Sequence, residues 1–132
     1  NRVDRAALPL AVGDLLVIVA FIYAGTLQHG TVPFPLASAG DVVALLGVAA
    51  PFLVGWIVAA PLIGAYSAGA AESAKASVPL AVRSWIPAAV IGLLIRATPV
   101  VDGGVAITFA IVMLLVGSVS LGVWRYVAGQ FL

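Results

Sequence analysis

The chain has 132 residues, of which 64% are hydrophobic and only 8% charged, with a formal net charge of +1. Soluble domains use about 45–50% apolar and about 25% charged residues, so six basic and five acidic side chains cannot coat a water-facing surface, and hydrocarbon must be the solvent for most of it. The near-neutral balance and the lack of a basic run exclude nucleic acid as a partner, and the lack of cysteine excludes disulfides and thiolate metal sites.

At this length the chain is a single domain, residues 1–132. Four stretches reach the roughly 20 apolar residues that a spanning helix needs. The first covers about residues 8–28 and holds Asp14 as its only formal charge. It is too long for a signal-peptide core and no cleavage site follows, so it reads as a retained helix. Gly30, Pro33 and Pro35 then break the backbone pattern. The second span covers about residues 42–66, with Asp41 placed as its N-cap. A small-residue segment, 67–77, carries Glu72 and Lys75 and reads as a water-exposed loop. The third span covers about residues 78–97, with Ser77 as a cap and Pro79 in the first turn. Residues 98–104 form a tight turn with Pro99, Asp102 and two glycines, and the fourth span covers about residues 105–127.

Stretches this long do not alternate as barrel strands do. The expected fold is therefore all-α: an integral membrane bundle of four transmembrane helices. Short connections make neighbouring helices antiparallel, in up-down-up-down order. Arg2, Arg5, Lys75, Arg83 and Arg125 then fall on one side of the membrane and only Arg96 on the other. That bias puts both termini in the cytoplasm.

A few polar side chains need explaining. Asp14 lies about 9 Å into the first span by helix rise. Either it pairs with Arg83 or Arg125, which lie at comparable depth, or it is a protonatable site on a transport path. Phe21, Gly25 and Gln28 share its helix face; Thr108, Ser118, Gly122, Arg125 and Gly129 form a second stripe. Ser118 with Gly122, and Ala88 with Gly92, are small-residue pairs suited to close helix packing. Pro51, Pro61 and Pro87 interrupt the helical bonding of the second and third spans. Trp56 falls near the middle of its span, as a packing residue or as part of a site for a flat ligand. Trp85 and Trp124 read as interfacial anchors. His29 closes the first span on the outer side, near Arg96, Asp41 and Asp102, with no second histidine to build a metal site.

The order Asp14, His29-Gly30, Pro51-Phe52-Leu53-Val54-Gly55-Trp56, Trp85 and Gly92-Leu93-Leu94-Ile95-Arg96 continues through Phe109-Ala110-Ile111-Val112 and Gly122-Val123-Trp124-Arg125. It resembles a domain-of-unknown-function family, number three thousand and fifty-four in that series, of haloarchaea and actinobacteria. The resemblance implies a four-helix protein of an archaeal or actinobacterial cell membrane, and singles out Asp14, His29, Trp56, Arg96 and Arg125. It implies no activity and no cofactor.

Three functional classes remain. A homo-oligomeric transporter or channel-type protein would use Asp14 for a proton or cation and the proline-bearing helices as gates. A non-catalytic subunit of a larger membrane complex needs only packing seams and partner subunits. A lipid- or pigment-binding protein would use Trp56 and Phe52 as a slot. Catalysis is not expected, because one membrane-depth aspartate and one histidine at the opposite end supply neither a nucleophile with its base nor a metal motif.

Overall fold

The computed structural model describes residues 3–29, 32–97 and 107–131, the side chains of residues 28 and 29 excepted. The expected turn at 98–104, with Pro99 and Asp102, and the side chains of Gln28 and His29 lie outside that range. Among the described residues all regular structure is helical. A 3-10 turn, Arg5–Ala7, leads into α1 (Leu8–His29); then come α2 (Ala39–Ile63), the short α3 (Ala68–Glu72), α4 (Ala74–Arg96) and α5 (Ile107–Phe131). Four of these, α1, α2, α4 and α5, are long and apolar enough to cross a membrane. The chain is a helical membrane protein.

The helix ends differ from expectation for local reasons. α2 begins at Ala39 because Ser38 caps it, accepting from the Asp41 N–H at 3.2 Å, while the Asp41 carboxylate accepts from the Ser38 N–H. Asp41 is thus the third helical residue of a capping box and not the N-cap. α2 stops at Ile63 because Gly64 adopts φ 102°, a left-handed conformation that ends helices and that glycine reaches without a Cβ penalty. The segment expected to be a loop instead folds as α3, and Ser73 caps α4 through the Ala76 N–H. α4 therefore starts about one turn early, which places Ser77 inside it. Both α2 and α4 run on through their prolines.

α2 packs on α4, α4 on α5, α5 on α1 and α1 on α2, so the long helices close a ring of contacts. Trp85 is the hub. Phe21 meets it edge-on at 5.4 Å between ring centroids, and Phe52 and Trp56 lie at 6.2 and 6.4 Å. It is fully buried and donates its indole N–H to the Met113 carbonyl at 2.9 Å. It is not an interfacial anchor. With α4 starting at Ala74, Trp85 sits about 17 Å along the helix, deep in the apolar layer, where an unpaired N–H would be costly.

Small residues let these rings and backbones approach. A Cβ on Gly117 would strike the Trp85 indole, one on Gly92 the Phe52 ring, and one on Gly55 the Ala88 carbonyl of α4. The buried stripe of α1 is Leu10, Asp14, Ile18, Ile22 and Thr26, with Phe21 half-buried beside it; Gly25 faces open space. On α5 the buried stripe is Met113, Gly117, Leu121, Gly122, Arg125 and Ala128, and Thr108 is exposed. The outer faces carry Val12, Leu16, Leu115, Val119 and Val123, which suits hydrocarbon and not water.

Candidate functional site

Two opposite charges lie in the core at full burial: Asp14 on α1 and Arg125 on α5. The guanidinium forks onto the carboxylate, with Nε to Oδ1 at 2.9 Å and Nη2 to Oδ2 at 2.7 Å. This is the two-bond geometry that only arginine offers a carboxylate. Nη1 donates to the Ser77 hydroxyl of α4 at 2.8 Å and to the Ala65 carbonyl at 3.1 Å. That carbonyl is available because Gly64 has already ended α2.

The carboxylate has further donors. Trp124 Nε1 donates to Oδ1 at 3.0 Å and the Tyr66 hydroxyl to Oδ2 at 2.8 Å. Each oxygen accepts two hydrogen bonds, which fills the roughly four lone-pair sites of an ionised aspartate. Tyr66 in turn accepts from Trp56 Nε1 at 2.6 Å. Burial first, and then the neighbouring Asp14 charge, hold the Tyr66 phenol above its ordinary range. Among the described residues, no buried side-chain nitrogen or oxygen lacks a partner. The network ties together the first half of α1, the start of α4, the end of α5 and the turn after α2.

Of the residues singled out in the sequence, Asp14, Trp56 and Arg125 meet in this network. Arg83 is exposed on α4, and Arg125 takes the aspartate. Arg96 lies apart on the last turn of α4, its guanidinium 4.6 Å from the centroid of the Phe109 ring. The backbone of His29 ends α1, and its side chain lies outside the described residues. Trp56 is a buried packing residue, as one of its two readings had it, and it also carries a polar contact. α2 ends at Ile63, so Trp56 sits seven residues from that end and reaches Tyr66, while Phe52 is fully buried against Trp85 and Phe109.

Tyr66, Ser77 and Trp124 are the partners that sequence reasoning did not assign. Gly64 near the end of an apolar run was the available signal for Tyr66, because a glycine there ends the helix and turns the next residues back onto the core.

Asp14 is fully buried, and four donor groups already bond its carboxylate. No three of His, Cys, Asp and Glu gather into a metal site among the described residues. A cavity of about 330 Å³ lies where α3 and the start of α1 meet the start of α4 and the end of α5, and Ser77 forms part of its wall.

No curated protein and no solved structure matches the chain at a significant level. A family model described as "Protein of unknown function (DUF3054)" matches residues 11–128, a range that holds Asp14, Trp56, Tyr66, Ser77, Trp124 and Arg125 alike. The chain belongs to this family, DUF3054.

Proposed function

We propose that this protein is a non-catalytic building block of an assembly in the cell membrane. In this reading its helices form an antiparallel up-down-up-down bundle with both termini cytoplasmic, and its outer faces meet further copies or partner subunits. The observation that carries the reading is the complete pairing of the Asp14–Arg125 network. Satisfied buried polar networks rigidify a core, and a saturated carboxylate has no site left for cargo. Extraction from the native membrane in a mild detergent tests it, followed by native mass spectrometry. Assemblies of several copies, or defined co-purifying subunits, are expected. A stable, isolated monomer from the same preparation contradicts the proposal.

The cavity beside Ser77 favours a second reading: a homo-oligomeric transporter or channel-type protein for a small solute or ion. Ser77 both lines that cavity and holds Arg125, so a solute entering it would stand one hydrogen bond from the ion pair. Proteoliposome flux over a panel of ions and small solutes tests this. Flux that Asp14→Asn abolishes supports it, and flux that the same substitution leaves intact removes Asp14 from any transport role.

A further inference from the structure

A shallow groove runs along the outside of the molecule between α1 and α5, lined by Pro9, Val12, Gly13, Leu16, Val17 and Trp124. Its walls are almost wholly apolar. We propose that this groove holds one acyl chain of an anionic phospholipid, with the headgroup phosphate taken by Arg5. The inference needs only the membrane-spanning character of α1 and α5, and not the assembly reading above.

Helix register lines up the parts. Within α1, Pro9, Val12 and Leu16 follow at spacings of three and four on one face, and the 3-10 turn that holds Arg5 passes directly into the N-terminal end of this helix, with Leu8 already helical. Arg5 is exposed and stands about 7 Å before Pro9 along the axis, by the rise of the 3-10 turn and the first helical step. Below it, the groove extends about 12 Å toward Val17. A cation at the rim above an apolar trough matches a phosphate above its hydrocarbon chain. Basic side chains at that level attract anionic lipid.

The floor is rigid. The Trp124 indole lies where a Cβ on Gly13 would be, and its N–H is fixed to Asp14 Oδ1 at 3.0 Å. The ring thus presents an immobile flat surface, while Val12 and Leu16, 61% and 65% exposed, form one wall. The adjacent acid, Asp4, is occupied in capping the turn through the Ala6 N–H.

Tryptophan emission in nanodiscs tests the site, with phosphatidylglycerol or phosphatidylcholine carrying dibrominated chains as the quencher. Trp56 and Trp85 are 1% and 0% exposed, so quenching on contact reports Trp124. Brominated phosphatidylglycerol should half-quench that component at a mole fraction about fivefold lower than brominated phosphatidylcholine does, the preference expected of one basic side chain near the surface. Trp124→Phe should remove the quenched component, and Arg5→Gln, a change at an exposed position, should erase the preference. Equal quenching by the two lipids in the unaltered protein overturns the proposal, as does a preference that survives Arg5→Gln. Protection of Trp124 from both lipids, with Val12→Cys forming cross-linked dimers, also overturns it and gives the groove to a second copy.

Discussion

Asp14 and Arg125 face a steep desolvation cost, since two charges taken out of water recover it only with excellent geometry and full hydrogen bonding. The forked pair and its flanking donors meet that condition. Tyr66 shows the consequence most simply. Its phenol is favoured in the neutral form, because burial penalises the anion and ionisation would also set a second negative charge beside Asp14. A group whose value is raised on folding contributes fully at pH below the ordinary phenol value of 10.0, and that contribution falls as pH rises beyond it. In an alkaline absorbance titration of the folded protein, Tyr66 should therefore stay un-ionised well above pH 10.0. Tyr66→Phe should remove one phenol from the high-pH part of the curve; an unchanged titration curve would contradict this placement. Asp14 and Arg125 were legible in the sequence as charges stranded in apolar runs. Their other partners were not, because Ser77 read as a helix cap, Trp124 as an interfacial anchor and Tyr66 as the last residue of a span.

Among the elements, the apolar runs announce the four long helices, and hydropathy alone places their middles. Their ends depend on single residues: Ser38 with Asp41 at the start of α2, Gly64 at its close, Ser73 ahead of α4. A hydropathy pattern averages over those positions, which is why α4 begins earlier and α2 stops sooner than the apolar runs suggest. Packing between helices depends just as sharply on glycine. Gly55→Val should destabilise the protein by more than about 2 kcal/mol, because its side chain would meet the Ala88 backbone and overpacking of this kind costs about 1–3 kcal/mol or more. Gly25→Ala, with nothing nearby, should be neutral or stabilising by up to about 1 kcal/mol. Circular-dichroism melts of both variants in one detergent compare them directly, and equal midpoints would deny that α2 and α4 touch at Gly55.

For the whole molecule, the polar network gathers one end of the helix ring, and Arg5, Lys75 and Arg83 lie exposed on the elements that bound it. The cysteine-free sequence gives a clean background for labelling. Val3→Cys and Gly69→Cys should react with an impermeant maleimide only in inside-out vesicles, and Leu36→Cys only in right-side-out ones; any other distribution contradicts cytoplasmic termini. The outline of four spans and the charge bias were readable from composition, whereas the closing of the ring through a shared ion pair depends on which arginine reaches Asp14, and two arginines at similar depth left that open. The most direct test is a double-mutant cycle on that pair, measured by reversible unfolding in detergent. Asp14→Leu and Arg125→Leu should each cost about 3–5 kcal/mol by stranding a buried charge, and the double variant should be less damaged than their sum by at least about 1 kcal/mol. Two small and additive losses would mean that the ion pair does not hold the helices together.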